Sequence, residues 1–242
     1  KYLLRNQNIN NYISKEIHKS NFKETITKLN LNVFKNNLWL NNVFPILIIS
    51  LFATGVLSLL QSGLPLDLVK GGINRPPLKE TLSGVVISIQ LFLLLIFQWP
   101  VGKWLSNKSL KLGLRLSIIC LGFGCLNLAI SSIWKYGLLL TFFALISIAI
   151  GLTCFLPTAT DAVIKIAPIS KRGISMAMYS QCFGISALIS PFIAGKFIEK
   201  FGNGFFLWLV MTLFSILVWP LIKNINVTKY ASSQDKLNTD KI

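Results

Sequence analysis

Six long apolar runs dominate the pattern of hydrophobic and polar positions along this chain. Each is about 19 to 22 residues long, and apart from Arg115 at the edge of the third run they contain no Asp, Glu, Lys or Arg. Because an α-helix rises about 1.5 Å per residue, such a run crosses the ~30 Å hydrocarbon core of a bilayer. The pattern therefore predicts an all-α membrane protein with six transmembrane helices, at residues 43–63, 82–101, 114–133, 136–157, 174–194 and 204–222.

The basic residues between the runs are distributed unevenly over the two sides of the membrane. Seven Lys and Arg precede the first run, and the successive segments after it hold 3, 4, 1, 3, 2 and 4. If the amino-terminal segment is cytoplasmic, that side receives 18 of the 24 basic residues. Cytoplasmic connectors of membrane proteins carry such an excess. We therefore expect a multi-pass protein of the plasma (inner) membrane with both chain ends in the cytoplasm.

Polar segments flank the six-helix domain of residues 43–222. Residues 1–42 are rich in Asn and Lys, and their apolar positions recur mostly every three or four residues. This spacing predicts a cytoplasmic amphipathic linker that lies on an anionic membrane surface, although a solvated linker fits the same composition. Residues 223–242 are predicted to form a polar cytoplasmic tail. Since the chain begins at Lys1 and not at Met, we expect it to be a piece of a longer protein.

Composition weakens the main alternatives to a membrane protein. A net charge of +16 would suggest nucleic-acid binding in a soluble protein, but here 53% of the residues are hydrophobic and the mean hydropathy is +0.63. The lipid bilayer is therefore the expected partner, and nucleic acid is not. The four cysteines lie inside apolar runs and His18 is the only histidine, so no catalytic residue, metal site or cofactor is predicted.

The fifth run has distinctive flanks and many small side chains. It follows Arg172 and Gly173 and ends in Gly195-Lys-Phe-Ile-Glu199-Lys200-Phe-Gly202, while Gly184, Ser190 and Ala194 lie within it. Small residues let neighbouring helices approach closely in a bilayer, where no hydrophobic effect drives them together. We therefore expect this helix to pack inside a bundle.

A short internal repeat links the second and fifth runs. Gly102-Lys103-Trp-Leu ends the second run as Gly195-Lys-Phe-Ile ends the fifth, on the opposite side of the membrane. An inverted repeat of three plus three helices has this arrangement. A four-residue match also arises by chance.

Taken in order, the fifth run and its flanks resemble the eleventh helix of the major facilitator superfamily of secondary transporters. The segment from Gly102 to Arg115 resembles the family's loop signature, Gly-x-x-x-Asp-Arg/Lys-x-Gly, but has Ser106 and Asn107 at the acidic and basic positions. The resemblance implies half of a twelve-helix fold, with helices seven to twelve present here. It also implies that residues 1–42 are the linker and that an amino-terminal six-helix half is the partner.

The resemblance also suggests which residues take part in gating. An acid-base pair such as Glu199 and Lys200 docks one helix end against its neighbour and separates when the bundle rocks, although an ordinary solvated turn explains the pair equally well. Asp161, expected in a loop near Lys165, fits either a gate salt bridge or a purely topological role. The gating candidates are Gly102, Lys103, Asp161, Arg172, Gly173, Gly195, Glu199, Lys200 and Gly202.

A central cavity lined by the first, second, fourth and fifth runs is a further implication of the resemblance. Its candidate substrate-binding residues are Gln61, Gln90, Tyr179 and Gln181, each of which an interhelical hydrogen bond also explains. No run contains a carboxylate, so for a proton-coupled protein we expect the coupling residue in the amino-terminal half.

Two functions of different classes follow. The first is a secondary active transporter that moves a small organic solute by alternating access, with efflux of an amphiphilic compound favoured by the few neutral hydrogen-bonding groups. The second is a non-transporting assembly or pigment-delivery protein on the same scaffold. An enzyme is not expected, since no nucleophile-base pair or phosphate-binding loop is recognisable.

Overall fold

Six long helices and two short 3₁₀ turns make up the described part of the chain. The structure is a computed structural model that describes residues 38–223 and residue 225. We number the helices α1 (Leu38–Lys70), α2 (Glu80–Ser106), α3 (Leu110–Ser131), α4 (Gly137–Ile166), α5 (Arg172–Phe201) and α6 (Phe205–Val218), with 3₁₀ turns at Ile169–Lys171 and Trp219–Ile222. The predicted linker and tail lie almost entirely outside the described residues.

The six-helix prediction is confirmed, because each helix is long and apolar enough to cross a membrane, α6 together with the 3₁₀ turn that follows it. All the helices except α6 are longer than the apolar runs; for example, α1 continues from Gly63 to Lys70, and α4 continues from Pro157 to Ile166. Backbone hydrogen bonding does not stop at the edge of the hydrocarbon, so charged residues extend the same helices towards water. Two of these helices, α1 and α5, are followed by glycines in the left-handed region, Gly71 (φ 83°) and Gly202 (φ 74°).

Helices α3 and α4 form the most closely packed pair. A Cβ at Gly124 of α3 would overlap the side chain of Ile148 on α4, and a Cβ at Gly151 would lie 3.0 Å from the Cγ of Leu121. On the far side of α3, a Cβ at Gly122 would meet Ser215 of α6. Glycine therefore sets the spacing of these helices, as close packing in a bilayer requires.

The remaining helices are arranged around this pair. Helix α2 lies against α4, and α1 meets α5 through a buried hydrogen bond of 2.8 Å between the hydroxyls of Thr54 and Ser186. Near the end of α1, a Cβ at Gly63 would lie 3.1 Å from the Cβ of Ala194. The predicted close packing by small residues of the fifth run is thus seen at Ser186 and Ala194, whereas the Cβ position of Gly184 has no described neighbour within 4 Å.

The bundle has two chemically different ends. We call the end at which α2 and α4 terminate the basic face, because Lys103, Lys108, Lys111, Lys165 and Lys171 lie there. The opposite face carries the α1–α2, α3–α4 and α5–α6 connectors. Exposed tryptophans lie near both ends, Trp99 and Trp104 at the basic face and Trp134 at the opposite face. Tryptophan is enriched where a membrane protein meets the lipid headgroups.

Candidate functional site

A cavity of about 740 Å³ opens between α2 and α4 towards the basic face. Its polar lining comes from Gln98 of α2 and from Thr153, Thr160 and Asp161 of α4, and the rest of the wall is largely apolar. Gly102 has no side chain to fill the space, and nothing described lies within 4 Å of its Cβ position. This is the size and character of a site for a small organic molecule.

The wall of this cavity formed by α4 presents hydrogen-bond acceptors. The Thr153 hydroxyl has one proton, which it donates to the carbonyl of Ala149 or of Ile150, both at 2.9 Å, and the residue is 3% exposed in this structure. Pro157, four residues further on, lacks the N–H that would bond the Thr153 carbonyl in a regular helix. Gln98 is exposed on the α2 side and brings an amide that both donates and accepts.

A second cavity of about 610 Å³ lies at the basic face, between the α2–α3 connector and the end of α4. It shares Gly102, Pro157 and Asp161 with the first, and it is lined in addition by Lys108, Lys111 and Lys165. The Lys165 Nζ lies 2.8 Å from Asp161 Oδ2, a pair four residues apart on α4 with both side chains about half exposed. The expected placement of Asp161 in a loop is therefore wrong, since it belongs to the last turns of α4.

Most other members of the predicted gating set also lie in helices and not in loops. Gly102 and Lys103 belong to α2, Gly195, Glu199 and Lys200 belong to α5, and Arg172 and Gly173 form the first turn of α5. Only Gly202 lies outside a helix, where its positive φ ends α5. The reason is the same as for the lengths of the helices. Charged residues show where the apolar run ends, but helical hydrogen bonds continue beyond that point.

None of the four predicted cavity residues lines the α2–α4 cavity. Gln61 and Gln181 are exposed on α1 and α5, whereas Gln90 and Tyr179 are buried. Neither amide atom of Gln90 has a hydrogen-bond partner among the described residues. Sequence analysis missed Gln98. It lies four residues before Gly102, and this spacing places both residues on the same side of α2.

Among the described residues, the ion pair with the most hydrogen bonds lies at the opposite face, and sequence analysis did not identify it. Asp67, in the last turns of α1, and Arg75, in the α1–α2 connector, form an ion pair of 3.0 Å with both side chains fully buried. The Asp67 carboxylate also accepts hydrogen bonds from the Gly204 N–H at 2.8 Å and from the Trp208 Nε1–H at 3.2 Å. The buried negative charge thus has one basic partner and two further donors.

Arg75 extends this cluster to α3. Its Nη1 donates to the Ser131 hydroxyl at 2.9 Å, and its Nη2 donates to the Asp67 carbonyl at 3.0 Å. The backbone N–H of Asn74 donates to the Ser132 carbonyl at 3.1 Å, and a Cβ at Gly72 would overlap that same residue. The cluster therefore fastens the α1–α2 connector to the ends of α3 and α6.

The position of Asp67 corrects one premise of the sequence analysis. No apolar run contains a carboxylate, but α1 continues beyond its run and carries Asp67 in a buried position. The chain therefore does hold a buried carboxylate within a spanning helix, although Arg75 and two N–H donors already satisfy it.

A scan against protein-family models matches the Major Facilitator Superfamily over residues 43–236. The match includes all six of the predicted runs. Searches for similar curated proteins and for similar solved structures gave no significant match.

Proposed function

Because this chain belongs to the major facilitator superfamily, a family of membrane transporters and not of enzymes, we propose that it moves a small organic solute by alternating access. The α2–α4 cavity is the observation that carries this proposal. It lies between two spanning helices, reaches towards the basic face, and combines an apolar wall with a few hydrogen-bonding groups.

The lining of this cavity favours an amphiphilic solute that is neutral or cationic. Gln98, Thr153 and Thr160 are neutral, and neither Lys nor Arg lines the cavity. Asp161 is the single charged group of the lining and is paired with Lys165. An anionic nutrient would have no positive charge to hold it there. Efflux of a drug-like compound is the form of transport that best fits such a lining.

The low burial of two helices supports the presence of a partner half. In α2 and α5 only 17% and 28% of the spanning window is buried, compared with 61% in α1, and α6 has the same low value as α5. Large apolar side chains such as Phe92 and Phe192 are therefore uncovered. We propose that an amino-terminal six-helix half packs on these two helices, and that the two halves rock against each other.

The basic face is the proposed cytoplasmic side, with both chain ends there and the protein in the plasma membrane. The charge bias of the whole sequence supports this orientation, since 18 of 24 basic residues fall on that side. Both cavities described above then open towards the cytoplasm, from which an exporter takes its solute.

The test is flux of lipophilic cations in vesicles that contain the full-length protein. We expect saturable transport of at least one compound from a panel that includes ethidium. Gln98→Leu should lower the apparent affinity about tenfold, because it removes one hydrogen-bonding group, worth about 1 to 1.5 kcal/mol, from the cavity wall. Ser88→Ala, on an exposed position of the same helix, is the matched control and should transport normally.

Two results would count against the proposal. Saturable flux that Gln98→Leu leaves unchanged would remove the α2–α4 cavity from the transport path. Absence of flux across the whole panel, with a protein or pigment that co-purifies in fixed proportion, would favour the non-transporting assembly function.

A further inference from the structure

The second cavity, at the basic face, has a net positive charge that transport of a neutral or cationic solute does not explain. Three lysines and one aspartate line it, and Asp161 already pairs with Lys165. Among the described residues, no carboxylate lies within 4.0 Å of the Nζ of Lys108 or Lys111. The cavity therefore keeps a net positive charge and offers two lysines to an anionic ligand.

The surroundings of the cavity place it at the level of the lipid headgroups. Trp104 and Trp99, on the last turns of α2, are 48% and 77% exposed. The Nζ of Lys108 lies 5.7 Å from the centre of the Trp104 ring, and that of Lys103 lies at the same distance from Trp99. Exposed tryptophan with lysine above it is typical of the interface between hydrocarbon and water.

A groove for a hydrocarbon chain begins beside the same cavity. It has a volume of about 530 Å³ and runs along α2 past Leu95, Gln98 and Trp99 to Gly102 and Lys103. Gly102 lines both spaces, and the missing side chain leaves the passage between them open. A basic cavity continued by a groove in which Leu95 and Trp99 offer apolar surface matches a molecule with an anionic head and a fatty tail.

We infer that this cavity binds the phosphate of an anionic phospholipid from the leaflet at the basic face, with one acyl chain in the groove along α2. Basic cavities between transmembrane helices bind anionic headgroups in this way, and juxtamembrane lysines add to the attraction. The inference depends on the membrane insertion of the six helices, and it is independent of which solute the protein carries.

The test is titration of the full-length protein with phosphatidylglycerol or phosphatidylcholine, with bound lipid counted by native mass spectrometry. The protein should bind phosphatidylglycerol in preference, and the double variant Lys108→Gln/Lys111→Gln should lower that affinity about fivefold for each lysine removed. The matched control is Lys135→Gln, because Lys135 follows the exposed Trp134 at the opposite face but lines neither space. It should bind phosphatidylglycerol like the unaltered protein.

A second variant keeps the test informative if the double variant folds poorly. Asp161→Asn removes the negative charge from the cavity and should tighten phosphatidylglycerol binding severalfold. Equal binding of the two lipids, or an equal loss in Lys135→Gln, would overturn the inference. Displacement of phosphatidylglycerol by glycerol 3-phosphate at the same concentration would also overturn it, because the cavity would then take a soluble anion.

Discussion

At the scale of single residues, two acid-base pairs show how burial decides what a charge does. Asp67 and Arg75 are fully buried and make five hydrogen-bond and ion-pair contacts, two with each other and three with other parts of the chain. Asp161 and Lys165 lie four residues apart on one helix with half of each side chain exposed. A buried charge that loses its partner is left uncompensated, whereas water replaces the partner of an exposed one.

The two aspartates therefore predict opposite outcomes for the same substitution. Asp67→Asn should lower the free energy of unfolding by about 3 to 5 kcal/mol, because the Arg75 guanidinium remains buried without its counter-charge. Asp161→Asn should change it by no more than about 1 kcal/mol. Thermal unfolding in detergent measures both, followed by a thiol dye that reacts as the four native cysteines become exposed.

A similar loss of stability in the two variants would contradict this interpretation of Asp67. It would mean that the hydrogen bonds from Gly204 and Trp208 hold Asp67 in place without help from the charge of Arg75. The sequence alone could not have indicated this cluster, because Asp67 follows Pro65 beyond the apolar run, and these two partners lie 137 and 141 residues further along the chain.

At the scale of helices, apolar length predicts where the chain crosses the membrane but not where each helix ends. All six spans follow from apolar stretches of sufficient length. Such a stretch must be helical in hydrocarbon, because backbone N–H and C=O groups without hydrogen-bond partners are too costly there. Gly102, Glu199 and Lys200 appeared to lie in loops, because polar residues mark the edge of the lipid and helical hydrogen bonds continue past it. Apolar length also does not predict which face of a helix packs against which neighbour, because this depends on contacts between distant segments.

Alanine substitutions of one glycine in α3 and one in α5 test which glycine packs against a neighbouring helix. Gly124→Ala should destabilise the fold by about 1 to 3 kcal/mol, because the added methyl group overlaps Ile148 and forces α3 and α4 apart. Gly184→Ala places the same methyl group in open space, and the better helix propensity of alanine should leave stability unchanged or raise it by up to about 1 kcal/mol. The same unfolding assay compares them, and equal destabilisation by both substitutions would show that Gly184 is packed.

At the scale of the whole molecule, the two ends of the bundle differ in structure. At the opposite face the Asp67 cluster fastens the α1–α2 connector to α3 and α6, so these elements stay together there. Towards the basic face, α2 and α4 leave two cavities that meet at Gly102 and Asp161. A bundle that is fastened at one end and open at the other fits the proposal that it rocks as a unit against a partner half.

The accessibility of Thr153 from the two sides of the membrane tests the proposed alternating access most directly. Thr153 lines the α2–α4 cavity near the middle of α4 and is 3% exposed in this structure, so a movement that opens the cavity should raise its reactivity. Thr153→Cys would be introduced into the full-length protein without its native cysteines, in sealed vesicles of one orientation, and treated with a membrane-impermeant thiol reagent. Alternating access predicts reaction from either face and slower reaction when a transported solute is present. Reaction from one face only, at a rate that no solute changes, would contradict it.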